Sequence, residues 1–102
     1  MRLKDLHKAA DAAGRKAAEN CRFIPQEEEI GFAFIKFAED TPWAWWAKSQ
    51  GYSIRSSKKE QVMMIREYDA SMPQKIAYTY AYANVLQEKG IKVRVKIEET
   101  IK

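Results

Sequence analysis

Residues 91–98, IKVRVKIE, carry the clearest strand pattern of this 102-residue chain. Valine and isoleucine alternate with lysine and arginine, so an extended segment here has one apolar face and one cationic face. The cationic face consists of Lys92, Arg94 and Lys96. Because a lone strand is not stable in water, this segment needs a pairing partner elsewhere in the chain.

Residues 30–37, IGFAFIKF, are the best candidate for that partner, although their pattern fits two structures. As a helix they form one apolar stripe. As a strand they are apolar on both faces, which suits a buried central strand. The need of residues 91–98 for a partner favours the strand. Residues 52–55 are a third candidate strand for the same sheet.

Three to four helices are expected around this sheet. They are residues 2–20, 42–50, 57–70 and 73–89. In the first helix the apolar stripe consists of Leu3, Leu6, Ala10, Ala13, Ala17 and Cys21. Ser57 and Glu60 have the spacing of a capping box, which starts the third. In the last helix three tyrosines also alternate as they would in a strand, but its C-terminal residues favour a helix that ends at Gly90.

The order of these elements predicts an α+β fold in which helices pack on a small antiparallel or mixed sheet. A chain of this length supports one modest hydrophobic core, so we expect residues 1–102 to form a single domain.

The chain holds all three of its tryptophans in residues 41–51, TPWAWWAKSQG, which read as a short helix. Thr41 is suited to cap this helix, and Pro42 suits its first position because a missing N–H is no loss there. Gly51 suits the residue just past the end, where a left-handed backbone is common.

The three indole rings of this helix cover a wide arc. At about 100° per residue, Trp43 and Trp46 lie about 60° apart, and Trp45 lies about 100° beyond Trp46. One narrow buried face cannot accommodate that arc. Either all three rings belong to a core that surrounds the helix on two sides, or at least one of them, Trp45 first, is exposed as a contact residue. The three tryptophans are therefore the candidate protein-binding residues.

Catalytic and metal-binding side chains are scarce. His7 is the single histidine and Cys21 the single thiol, so one chain cannot assemble a zinc site of cysteine and histidine ligands. We expect His7 to lie half exposed beside the stripe of the first helix. The four glycines are scattered and match no phosphate-binding loop. The sequence therefore predicts no enzyme activity, no metal and no cofactor.

The sequence features of a membrane span, a secretory signal and a disulfide bear on where the protein is located. No apolar run reaches the roughly 18 residues of a membrane span, and no apolar segment of a secretory signal follows the charged N-terminus. A single cysteine excludes an intramolecular disulfide and agrees with a reducing, cytoplasmic location. No membrane partner is expected, and the oligomeric state is left open.

Two functions remain. The first is a small non-catalytic protein-binding module, such as an adaptor, an inhibitor or an assembly subunit, of the kind that phages and mobile elements often encode. The second is a nucleic-acid-binding protein that meets phosphates with Lys92, Arg94 and Lys96. The net charge of +4 permits a nucleic acid without demanding one, and no known nucleic-acid-binding signature is present. The tryptophan arc favours the first function.

Overall fold

A computed structural model describes the backbone of residues 2–23 and 29–101 and the side chains of residues 2–23 and 31–99. Within these residues the chain forms three helices and four strands. In chain order they are α1 (Leu3–Glu19), β1 (Glu29–Ala38), α2 (Pro42–Ser49), β2 (Ile54–Ser57), β3 (Glu60–Met64), α3 (Met72–Glu88) and β4 (Val93–Ile101). The predicted α+β class is therefore confirmed.

The four strands form one antiparallel sheet in the order β2-β3-β1-β4. The two strands predicted from residues 30–37 and 91–98 are present and pair with each other, with Phe34 opposite Lys96. On its other side β1 pairs with β3, where Phe34 lies opposite Met64. The third predicted strand, at residues 52–55, is found two residues later along the chain as β2.

The prediction of a helix at residues 57–70 is wrong. Residues 57–60 are instead part of the tight connection between β2 and β3, in which Lys59 adopts a left-handed backbone with a φ of 67°. The Ser56 hydroxyl donates to Glu60 Oε1 at 3.2 Å. The apolar run that follows has no clear helical period, and it becomes a strand because β1 has a free edge to pair with. This pairing is continued by Ile65, whose N–H donates to Ala33 O at 2.9 Å.

Helices α1 and α3 pack against each other over their lengths. The buried residues of α1 are Leu6, Ala10, Gly14 and Ala18, so the buried stripe runs through Gly14 rather than through Ala13 and Ala17 as predicted. A Cβ atom on Gly14 would lie 2.6 Å from Tyr78 Cδ2. Only glycine, which lacks that atom, lets the Tyr78 ring of α3 approach so closely.

The helices cover one face of the sheet, and the core lies between them. Ala33, Ile35 and Phe37 of β1 point toward the helices and are buried. From α3, Tyr78 and Tyr82 meet them, each with 1% of its surface exposed. No helix in the described part of the chain is long and apolar enough to cross a membrane.

Candidate functional site

The tryptophan helix α2 forms as its start and stop residues predict. Thr41 caps it, because its Oγ1 accepts a hydrogen bond from the Ala44 N–H at 3.1 Å. Pro42 occupies the first helical position, and Gly51 follows the end with a φ of 78°. The cap and the buried side chains of α2 hold it in one orientation on the domain.

The three tryptophans have three different environments. Trp43 is 2% exposed and packs edge-on against Phe37, with ring centroids 6.2 Å apart. Trp46 is half-buried, and its ring lies 5.3 Å from that of Trp43. Trp45 points away from both and is 72% exposed. The fold therefore buries one of the predicted contact residues, half-buries the second and leaves the third on the surface.

A groove of about 540 Å³ lies beside the exposed ring of Trp45. The other residues that line it are Glu39, Asp40, Ala44, Lys48, Ser49 and Gln61. Gln61 is fully buried, and its Nε2 has no hydrogen-bond partner among the described residues. A buried amide N–H without an acceptor costs about 1–3 kcal/mol, and this donor is itself shielded from solvent, so it does not open into the groove.

The basic stripe is present on β4, but its charges are partly paired. Arg94 forms an ion pair with Glu60, which also lies 3.7 Å from Lys36. Lys96 Nζ lies 3.0 Å from Glu98 Oε1. The remaining predicted cation, Lys92, precedes the first residue of β4 and is exposed.

A second cavity, of about 510 Å³, opens between α1, the β2–β3 hairpin and α3. Three successive turns of α1 supply His7, Asp11 and Arg15 to its wall. The sequence analysis did not anticipate this cluster. The sequence feature that could have predicted it is the four-residue spacing of these three polar residues, which places them on one helical face.

Two buried tyrosines of α3 reach this polar face of α1. His7 Nδ1 lies 2.6 Å from the Tyr82 hydroxyl. The Tyr78 hydroxyl donates to Asp11 Oδ1 at 2.5 Å, while Arg15 Nε donates to Asp11 Oδ2 at 2.9 Å. The cluster therefore satisfies the polar ends of two core tyrosines and ties α1 to α3.

Burial sets the protonation states of this cluster. It lowers the pKa of the His7 imidazole, although the carboxylates of Asp11 and Glu67 act in the opposite direction. Burial also raises the pKa of the Tyr78 and Tyr82 hydroxyls, and at Tyr78 the hydrogen bond to Asp11 adds to the effect. Both hydroxyls therefore stay protonated, and the neutral form of His7 is favoured.

Asp11 behaves differently from the other members of the cluster. Desolvation pushes the pKa of its carboxyl upward, but the hydrogen bonds from Tyr78 and Arg15, together with the charges of Arg15 and His7, outweigh this effect. The pKa of Asp11 therefore lies below its ordinary value, and the carboxylate stays ionised as the acceptor at the centre of the cluster.

The cluster has few of the features of a catalytic or metal site. No group of three or more histidine, cysteine or carboxylate side chains among the described residues is arranged to hold a metal ion. His7 is half-buried, in agreement with the expectation from the sequence, and it lies between the Tyr52 ring, 4.8 Å away in a stacked arrangement, and the Tyr82 hydroxyl. Its contacts account for its position as part of the packing of α1.

Comparisons of the chain with protein-family models, with curated proteins and with solved structures found no match.

Proposed function

We propose that the protein is a non-catalytic protein-binding module that contacts its partner through Trp45 and the adjacent groove. It would serve as an adaptor, an inhibitor or an assembly subunit. The observation that carries this proposal is the 72% exposure of the Trp45 side chain. Tryptophan is highly buried on average in folded proteins, and it is enriched among the residues that dominate binding energies.

The way in which Trp45 is presented supports this role. Its helix is capped by Thr41, and the buried side chains of Trp43, Ala44 and Ala47 anchor that helix in the core. Side chains and loops that become ordered on binding reduce affinity, typically by about 0.5–1.5 kcal/mol for each immobilised side chain. A ring on an already fixed helix avoids much of that cost.

The residues around Trp45 suggest the chemistry of the partner. The face of an indole ring attracts an apolar or a cationic side chain. The groove contributes two carboxylates, of which Glu39 lies 3.8 Å from Arg55 and Asp40 is exposed, against one lysine, Lys48. We therefore expect a protein partner that places a lysine or arginine side chain against Trp45.

The alternative, nucleic-acid binding through Lys92, Arg94 and Lys96, has weaker support. Two of these three cations have carboxylate partners on the same surface. Each such pair lowers the number of phosphates that the strand can neutralise, and that number determines nonspecific affinity.

Affinity purification from the native cell, with and without nuclease, tests the proposed function. The wild type is compared with Trp45→Ala and with Tyr80→Ala, which removes an aromatic ring of similar exposure (54%) from α3. We expect a protein partner that survives nuclease, is retained by Tyr80→Ala and is lost by Trp45→Ala. A partner lost on nuclease treatment would favour the nucleic-acid alternative, and a partner retained by Trp45→Ala would refute the proposed site.

A further inference from the structure

The sheet lacks a strand beside β3 for part of the length of β3. Strand β2 pairs with β3 only between Glu60 and Val62, because β2 begins at Ile54, which lies opposite Val62. Strand β3 continues to Met64, and its hydrogen bonding to β1 continues to Ile65. Beyond Val62 the position that a longer β2 would fill is therefore open.

Tyr52 is the residue at which the chain leaves the sheet. If the register of β2 and β3 continued, Tyr52 would lie opposite Met64. Instead its N–H donates to Ala47 O of α2 at 2.9 Å, and its ring stacks on His7 of α1. Because both the backbone and the side chain of Tyr52 are held by helices, this part of the chain does not fill the open position.

Main-chain groups of β3 point into this opening. The Ile65 N–H donates to Ala33 O of β1 at 2.9 Å. Because hydrogen-bonding groups of successive strand residues alternate in direction, those of Met64 and Arg66 point away from β1. The Arg66 N–H bonds the side-chain Oε1 of Glu67 at 3.2 Å, where a neighbouring strand would supply a carbonyl. The N–H and C=O of Met64 have no strand beside them in the described part of the chain.

The opening is the cavity of about 510 Å³ between α1, the β2–β3 hairpin and α3, which we call the strand gap. One wall consists of six consecutive residues, 62–67, and the facing wall includes His7, Asp11 and Arg15 from one side of α1. The volume lies within the range of about 300–1,000 Å³ that is typical of ligand sites. Because a continuous stretch of chain lines one wall, the strand gap is a groove that follows β3.

Unused hydrogen-bond donors on both walls favour an acidic ligand. The guanidinium of Arg66 is exposed and has no carboxylate partner among the described residues. On the facing wall, half-exposed Arg15 bonds Asp11 through Nε, which leaves its two terminal nitrogens available. The carboxylates that line the strand gap, Asp11 and Glu67, already accept hydrogen bonds. A carboxylate from outside would complete the two guanidiniums with charge-assisted hydrogen bonds.

We propose that an extended segment of a partner protein binds in the strand gap, pairs with β3 at Met64 and places an acidic side chain against Arg15 and Arg66. An extended backbone is the ligand that supplies both the donor and the acceptor that an open strand edge requires. Alternate side chains of such a segment lie about 7 Å apart, close to the rise of about 6 Å between the residues of α1 that line the facing wall.

The short open edge predicts weak binding. Only about three residues of β3 and its continuation are open, so we expect dissociation constants of about 10–500 µM for an isolated peptide. The strand gap shares no lining residue with the groove at Trp45. The two sites can therefore be tested separately.

Selection from a random heptapeptide library displayed on phage tests the proposal. The control for Arg66→Ala is Arg94→Ala, which removes an exposed arginine from the opposite edge of the sheet. We expect the wild type to enrich peptides that combine acidic and β-branched residues. Arg94→Ala should bind them like the wild type, and Arg66→Ala at least about fivefold more weakly. No enrichment over a blank surface, or peptides that lose affinity for Trp45→Ala but not for Arg66→Ala, would overturn the proposal.

Main-chain pairing is tested with modified peptides, so that the protein itself stays unchanged. An enriched peptide, made synthetically, should shift the amide NMR resonances of Met64 and Arg66 and leave those of β4 unchanged. Methylation of alternate peptide nitrogens removes the N–H groups along one edge of the peptide strand. Of the two alternate patterns, one should weaken binding at least about tenfold, and the other should stay within about threefold of the unmodified peptide. Equal binding by both patterns, or shifts confined to other surfaces, would contradict strand pairing in the gap.

Discussion

Gly14→Ala tests the close packing of α1 against α3. In an isolated helix this change stabilises by about 1 kcal/mol, because alanine has the higher helix propensity. In this protein the new Cβ would lie 2.6 Å and 2.7 Å from two carbons of the Tyr78 ring, where about 3.5–4.0 Å is the favourable separation. The ring cannot easily move aside, since it is 1% exposed and its hydroxyl is bonded to Asp11.

Two opposing terms decide the outcome of this substitution. Overpacking in a well-packed core costs about 1–3 kcal/mol, so after the propensity gain we expect a net loss of about 1 kcal/mol. For a domain of this size that loss lowers the Tm by roughly 4–8 °C. Thermal and urea unfolding followed by circular dichroism measure it.

Two controls isolate the contact with Tyr78. Ala12→Gly, at an exposed position of the same helix, measures the propensity term alone and should cost about 1 kcal/mol. In a Tyr78→Leu background Gly14→Ala should lose most of its cost, because the clashing ring atoms are gone. If Gly14→Ala raises the stability of the otherwise wild-type protein by the full propensity gain, the described approach of α1 to α3 is incorrect.

Two further predictions concern charged groups in the fold. Burial lowers the pKa of His7, so the imidazole binds a proton more readily in the unfolded chain than in the folded protein. The contribution of His7 to the free energy of unfolding is therefore fully present above the unfolded pKa of about 6.5. It falls as the pH drops through the folded pKa. Urea unfolding at a series of pH values should show this step in the wild type and lack it in His7→Phe; a wild type that gains stability on acidification below 6.5 would contradict it. The buried Lys75 ammonium donates to Ile65 O at 3.2 Å and pairs with Asp69, whose side chain is mostly exposed. Lys75→Met should therefore leave the free energy of unfolding almost unchanged. Asp69→Ala leaves the buried ammonium with one acceptor fewer and should lower the free energy of unfolding by about 1–2 kcal/mol. If urea unfolding shows Lys75→Met to be the more destabilising of the two, this assignment is refuted.

The pattern of residues 91–98 predicted much of the sheet because its alternation is unambiguous and a strand requires a partner. That requirement identified β1 correctly, although the same residues also fit a helical stripe. The prediction failed at residues 57–70, where Ser57 and Glu60 have capping-box spacing within a hairpin turn. Local spacing cannot distinguish these two uses, and the free edge of β1 decided the outcome.

The candidate sites were predictable to different degrees. The wide arc of the tryptophan helix indicated that one ring could face outward, and Trp45 was the one singled out. The cavity at His7 was not predicted, because Tyr52 and Tyr82, which contact His7, come from distant parts of the chain. The exposed face of β1, which carries Phe32 at 40% exposure, was visible as the two-sided apolar pattern of residues 30–37, but sequence alone could not show which of its two faces the helices would leave open.

The most direct test of the proposed function is the affinity of the purified partner for wild type and Trp45→Ala, measured by titration calorimetry alongside the Tm of each. Because Trp45 is 72% exposed, the variant should keep the wild-type Tm within about 4 °C, since surface substitutions usually change stability by less than about 0.5 kcal/mol. Its affinity should fall by about 30-fold or more, which corresponds to a loss of about 2 kcal/mol. An unchanged dissociation constant, or a variant that has unfolded, would contradict the assignment of Trp45 as the contact residue.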